Sequence, residues 1–116
     1  MEQDALWAVE EELWTGGEAS WKGRLHPQNV MAFSDPTGVI SGKAVLDSMK
    51  NAPRWSAVEM TERAYCRPAD AVVVLGYRAL GRRSGEEPYG AYCTSTYLRE
   101  SDTWKLVQHQ QTPARV

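Results

Sequence analysis

The chain predicts a single α+β domain over residues 1–116, with its helices gathered early and its strands late. Three observations carry that prediction. Apolar residues recur at helical spacing through the first 51 positions, four long stretches of two-residue alternation follow position 55, and the last of these, Trp104 to Pro113, is too polar to be buried on both faces. A chain of 116 residues has room for one core and buries roughly two-thirds of the surface it exposes when unfolded.

Residues 2 to about 16 read as a helix. Leu6, Val9 and Leu13 recur at i, i+3 and i+7, Trp7 and Trp14 widen the stripe, and Glu10, Glu11 and Glu12 are expected mostly toward solvent. Thr15-Gly16-Gly17 stops this helix, and a second short one from Glu18 to about Leu25 carries Trp21 inward before His26-Pro27 breaks it. Val30 to Phe33 forms a short strand paired with Val39-Ile40 across a turn that holds Asp35-Pro36 and Gly38. Ser41 is the expected N-cap of a third helix, 42 to about 51, with Val45, Leu46 and Met49 inward and Pro53 closing it. Strands follow at 55–67, 71–82, 89–100 and 104–113, joined by Pro68-Ala-Asp70, a solvated loop at 83–88 and Ser101-Asp-Thr103. Val72 to Leu75 is apolar on both faces and is expected to be buried from both sides.

A net charge of −2 leaves no basic footprint for nucleic acid or for an anionic membrane. No apolar run approaches the ~20 residues that span a bilayer, and Met1-Glu-Gln-Asp is acidic where a signal peptide is basic, so a soluble, cytoplasmic protein is expected. Five Trp and five Tyr stand against one Phe. These side chains join an apolar body to a polar tip and suit the wall of a pocket or an interface, although a small core filled with large residues uses them as well. His26, beside Pro27 in a turn, and His109 are the only histidines, so neither a metal site nor a cofactor is expected. Cys66 and Cys93 lie on strands with one strand between them; at ~4.8 Å per step they are about 9–10 Å apart, beyond the reach of a disulfide.

The N-terminal helix ending near Trp14, the short strand before Gly38-Val-Ile-Ser-Gly42 leading into a helix, and the closing Trp104-Lys-Leu-Val-Gln-His109 together resemble the NTF2-like superfamily. Within it the chain is similar to the SnoaL-like or DUF4440 group of small bacterial proteins. The resemblance implies an NTF2-like, cystatin-like cone, with N-terminal helices packed on a strongly curved, mainly antiparallel sheet over a pocket, and a homodimer formed through the outer sheet face. The superfamily holds isomerases, dehydratases, epoxide hydrolases and cyclases beside binding and assembly domains, so fold alone does not decide function. Neither the carboxylate and tyrosine set of the steroid isomerases nor the Asp-Arg-Asp set of the epoxide hydrolases has a clear counterpart here.

In the family, the positions of Val107, His109 and Gln111 face the pocket. Pairing across Ser101-Asp-Thr103 then puts Tyr97, Ser95 and Cys93 on the same face, although a one-residue slip would exchange the faces. Alternation likewise turns Val73, Leu75 and Tyr77 inward, opposite Tyr65, Arg63, Thr61 and Glu59, with Trp14 and Trp21 closing the cavity from the helix side. His109 is the sharpest catalytic candidate: a neutral imidazole among aromatic rings is a general base or a donor to a carbonyl, or else a histidine satisfied by Ser95 or Gln111. Glu59 is the second, since a carboxylate removed from water holds its proton and becomes a usable base, or else it pairs with an arginine. Tyr65, Tyr77 and Tyr97 form an oxyanion-type donor set or are packing residues.

Three functional readings follow. The first is a homodimeric domain that binds a small molecule, with Trp14, Trp21, Tyr65, Tyr77, Cys93, Ser95, Tyr97, Val107 and Gln111 as the ligand set. The second is an isomerase, dehydratase or cyclase acting on a small hydrophobic carbonyl compound through His109 or Glu59. The third is an assembly module that pairs through Gln108, Gln110, Tyr92 and Thr94.

Overall fold

The computed structural model describes residues 2–50, 52 and 54–116. Three helices, α1 (Glu2–Thr15), α2 (Gly17–Arg24) and α3 (Lys43–Met49), pack on one face of a sheet built from β1 (Leu25–Ala32), β2 (Val39–Ser41), β3 (Ala57–Ala69), β4 (Val72–Arg82), β5 (Tyr89–Glu100) and β6 (Thr103–Ala114). The strand order is β2-β1-β6-β5-β4-β3. Only the β1·β6 pair is parallel, so β6 is a central strand with antiparallel β5 on one side and β1 on the other.

Local chemistry moves several expected boundaries. β1 begins at Leu25 rather than Val30, because Pro27 falls between the pairings Leu25↔Leu106 and Val30↔Gln108, where its missing N–H interrupts no ladder bond. Gly42, not Ser41, occupies the N-cap position of α3 at φ 59°, and its N–H donates to Asn29 Oδ1 at 3.0 Å. The expected end of this helix at Asn51 and its closure by Pro53 lie outside the described residues. β3 starts at Ala57, which leaves Trp55 outside the sheet, and Pro68 lies within the strand, so the turn moves to Asp70-Ala71. Pro113 sits inside β6 opposite Ala91, beyond the last β1 pairing at Gln110, where that side of β6 is open.

Two irregularities decide which side chains face the helices. In β6, Tyr97 pairs with Leu106 while Thr96 pairs with Gln108, so Val107 is an extra, bulged residue. Leu106, fully buried, and His109, 3% exposed, consequently share the inner face that strict alternation would deny to one of them. Val107 therefore does not take the cavity-facing place expected for it. In β3 the register shifts between Thr61 and Ala64, around Glu62 at φ 51°; Met60 and Tyr65 face inward opposite Ala79 and Leu75, and Glu59 and Thr61 face out. Val73, Leu75 and Tyr77 of β4 point inward as alternation requires.

The opposite sheet face has no helical layer, so Val72 and Val74 are half-buried rather than buried from both sides. Both cysteines are free, the exposed Cys66 opposite Val74 on the outer face and the buried Cys93 opposite Tyr77 on the inner. The start of α1 is tied to the sheet by Glu2, whose carboxylate accepts from Arg67 at 2.7 Å and Trp104 Nε1 at 3.0 Å. Among the described residues no helix is long and apolar enough to cross a membrane.

The bulge makes a test. Leu106→Gln is expected to lower the unfolding free energy in urea by ~3 kcal/mol, as burying an amide in a filled core does. Gln108→Leu, two residues on, is expected to change it by less than about 1 kcal/mol. Equal effects would contradict the placement of Val107.

Candidate functional site

Glu10 lies four residues after Leu6 and three before Leu13, so helical geometry carries it onto the apolar face of α1, against the expectation that it points to solvent. It is 1% exposed, and among the described residues no lysine or arginine is paired to it. What satisfies it instead is a set of hydroxyls from the sheet. Tyr97 donates to Oε1 at 2.6 Å, while Ser95, at 2.6 Å, and Tyr77 donate to Oε2. Trp14 Nε1–H donates to the Tyr77 oxygen at 2.9 Å, which leaves the phenol proton of Tyr77 for Glu10.

His109 completes the set. Its Nδ1 lies 2.7 Å from Ser95 Oγ and 3.5 Å from Glu10 Oε2, and its Nε2 lies 2.9 Å from Gln111 Oε1. Because the single Ser95 proton goes to Glu10, Nδ1 is the donor toward Ser95. The ring is further held by the edge of Trp21 at 6.0 Å and by Phe33 at 5.9 Å. Trp21 is itself locked through Nε1–H to the Leu13 carbonyl at 2.8 Å.

The electrostatics follow from burial and that pairing. Burial pushes the Glu10 carboxyl up, but the hydrogen bond and charge of His109, with the hydroxyls of Ser95 and Tyr77, outweigh it and hold the group below the ordinary carboxylate value. Tyr77 and Tyr97 are pushed well up, by burial first and then by the Glu10 charge, so both remain donors. Burial and the same charge push the Cys93 thiol up to about 12, which removes it as a thiolate nucleophile at neutral pH.

Above this network opens a cavity of about 370 Å³, within the range of small-molecule sites. Glu10, His109 and Gln111 form its base, and Leu13, Trp14, Trp21 and Phe33 its wall. At the mouth, Arg54, Trp55, Arg83 and Tyr89 stand on one side, and Asp35 with Ser34 and Thr37, from the β1–β2 turn, on the other. Trp55 stacks on Tyr89 at 5.4 Å, and Gly81 lets Trp55 and Trp14 approach the sheet, since a Cβ there would meet Trp55 at 3.0 Å and Trp14 at 3.3 Å.

His109, Gln111, Trp14 and Trp21 thus come together at the cavity. Tyr77, Tyr97, Ser95 and Cys93 share the inner face but lie behind the cavity wall, and the first three spend their hydroxyls on Glu10, so the expected oxyanion set is not free to meet a ligand. Tyr65 packs half-buried against the core away from the cavity. Glu59 points outward, exposed, 3.6 Å from Arg82, so the inward carboxylate is Glu10 and not Glu59. Sequence reasoning missed Glu10 although its spacing from Leu6 and Leu13 was the available signal. It also missed Arg54, Trp55 and Tyr89, which flank loops and carry no periodic signal, whereas Arg83, with Arg82 and Arg78, reads in the sequence either as an anion holder at a pocket rim or as a solvated charge, and it does line the mouth. Among the described residues no cluster of three metal-ligating side chains occurs.

No protein-family model matches the chain, and no curated protein matches it in sequence. Solved structures do match it. A candidate ketosteroid isomerase from Parabacteroides distasonis is 17% identical over 95% of this chain and 86% of its own, with a TM-score of 0.79. An NTF2-like protein of unknown function from Prochlorococcus is 10% identical over 100% and 95%, also at 0.79. The CamKII hub homology domain of Chlamydamonas reinhardtii is 16% identical over 99% and 100%, at 0.75. At such identities the likeness is one of fold, and the fold is the NTF2-like cone.

Replacing Glu10 by Gln removes the charge that the hydroxyls and His109 surround, and puts an amide N–H₂ where a hydroxyl now donates, so that hydroxyl must turn and accept instead. The variant is expected to lose about 2–4 kcal/mol of unfolding free energy at neutral pH. Because the folded carboxyl titrates below its ordinary value, the wild-type advantage is full above about pH 4.3 and is lost as pH falls through the folded value. Urea unfolding of both proteins across that window checks this, and a gap that widens toward acid would contradict it.

Proposed function

We propose that the protein binds a small, largely apolar molecule in the cavity, with one neutral polar group of that molecule at the Gln111 amide beside His109. The observation that carries this reading is an aromatic-walled cavity whose base presents the Gln111 amide, which keeps one lone pair and one N–H after its bonds to His109 Nε2 and the Tyr89 hydroxyl. The SnoaL-like or DUF4440 grouping belongs with this reading, as does a homodimer. In support of the dimer, the outer faces of β5, β6 and β1 have no covering layer and expose Tyr92 by 51% and Val30 by 53%. These flank a ladder in which Thr96 donates to Gln108 at 2.9 Å. Light scattering should then give a dimer mass for the wild type and a monomer mass for Tyr92→Lys; a monomeric wild type would remove the dimer and leave the cavity reading intact.

A second reading, proton abstraction next to a carbonyl, is favoured by the Glu10–Ser95–His109 chain. With Nδ1–H donating to Ser95 and Ser95 to ionised Glu10, a neutral His109 has its lone pair on Nε2, and Gln111, 2.9 Å away, must swing aside before that nitrogen takes a proton from a molecule in the cavity. The imidazolium so formed is stabilised by the Glu10 charge 3.5 Å from Nδ1.

One two-ring ketone, 2-tetralone, tests both readings. It is expected to bind at one per chain and to shift the NMR signals of His109, Gln111 and Phe33 together. Shifts scattered outside the cavity would end the binding reading. Solvent deuterium should enter the α position faster with wild type than with His109→Gln if the site moves protons; equal rates in the two proteins would leave a binding site without that chemistry.

A further inference from the structure

The cavity is electrically polarised along its depth. At its base Glu10 is an ionised carboxylate whose oxygens already accept from Ser95, Tyr77 and Tyr97. A second anion placed there would meet a like charge at low dielectric and find those donors taken. The mouth has the opposite character on one of its two sides. Arg83 lies with its guanidinium 3.7 Å from the Trp55 ring centroid, which fixes the plane of the fork, and its Nη1 is 3.5 Å from Glu86 on the solvent side. Arg54, next to Trp55 in sequence, is exposed and makes no ion pair among the described residues.

Arg54 is also placed rather than merely present. Gly17, at the corner between α1 and α2, has φ +70°, and a Cβ there would lie 2.9 Å from Arg54 Nε. The arginine side chain therefore crosses from the α3–β3 connection to rest on the α1–α2 corner, in space that only a glycine leaves open. Two guanidinium groups on one rim, beside the stacked rings of Trp55 and Tyr89, make a place for an oxyanion attached to a flat apolar body. The other side of the mouth carries Asp35, which repels an anion and so restricts it to the arginine side.

We infer that the ligand is an apolar organic carboxylate that enters body first, with its carboxylate held at the mouth by Arg54 and Arg83 and its body against Trp14, Trp55 and Tyr89. This inference rests on the cavity being a ligand site. It adds the charge of the ligand and the direction in which it lies.

Three probes with one body and different heads test it: 2-naphthylacetate, 2-naphthylacetamide and 2-(2-naphthyl)ethylamine, each titrated by calorimetry into the full chain. The carboxylate is expected to bind roughly tenfold tighter than the amide, with the ammonium weakest. Arg54→Gln and Arg83→Gln should each reduce that preference, and together abolish it, with the amide affinity within about twofold of wild type. Gly17→Ala should act like Arg54→Gln, because it displaces the same side chain. An amide that binds wild type as tightly as the carboxylate, or a preference that survives both arginine substitutions, overturns the inference. If none of the three binds while 2-tetralone does, the anion inference falls alone; if 2-tetralone also fails to bind, the cavity reading falls and takes this inference with it.

Discussion

A carboxylate with 1% exposure is the constraint around which this molecule is arranged. Taking an ionised glutamate out of water costs several kcal/mol, and among the described residues no lysine or arginine pairs with Glu10 to offset it. The compensation comes from hydroxyls on β4 and β5 and an imidazole on β6, all brought to one point above the sheet. Because those bonds are directional, they specify where α1 sits, which apolar contact alone leaves free to slide. Trp14, one turn further on, strengthens the arrangement by donating to the same Tyr77 that donates to Glu10. The bulge at Val107 serves the same end, since without the extra residue Leu106 and His109 could not both face the helix.

The chemistry of the site descends from that arrangement. Tyrosines that would stabilise an enolate elsewhere are committed here to a protein carboxylate, and the other polar side chains at the base of the cavity are His109 and Gln111, bonded to each other. His109 is in turn oriented by Ser95, which links its ring to Glu10. A carboxylate at the base whose hydrogen-bond donors are already taken, and guanidinium groups at one side of the mouth, give the cavity a direction as well as a shape. Neighbours of the same fold span a candidate isomerase and a hub homology domain, so this set of residues, and not the cone that holds it, distinguishes the chain.

Much of the fold was legible in the sequence because it rests on periodicity. Alternation placed Val73, Leu75 and Tyr77 on the inner face, and pairing across the last turn correctly joined Cys93, Ser95 and Tyr97 to the face of His109 and Gln111. Alternation fails where the chain inserts a residue, which is why Leu106 and Val107 exchanged places and why Glu59 faces solvent beyond the irregularity in β3. Glu10 was lost for a different reason. Three consecutive glutamates read as a solvated face, and the general rarity of buried carboxylates outweighed a position one turn from both Leu6 and Trp14. Most of the mouth was illegible because Arg54 and Trp55 lie in a connection whose geometry depends on tertiary packing, and only Arg83 could be weighed as a rim residue.

The ionisation of Glu10 inside the fold is the point on which everything above turns, and isotope-edited NMR of its side-chain carboxyl reads it directly. In an acid titration of the folded protein, Glu10 is expected to stay ionised through the ordinary glutamate range near pH 4.3 and to titrate only below it. A Glu10 carboxyl that takes up its proton above that range would mean that burial outweighs the hydroxyls and His109, and would contradict the account of the site.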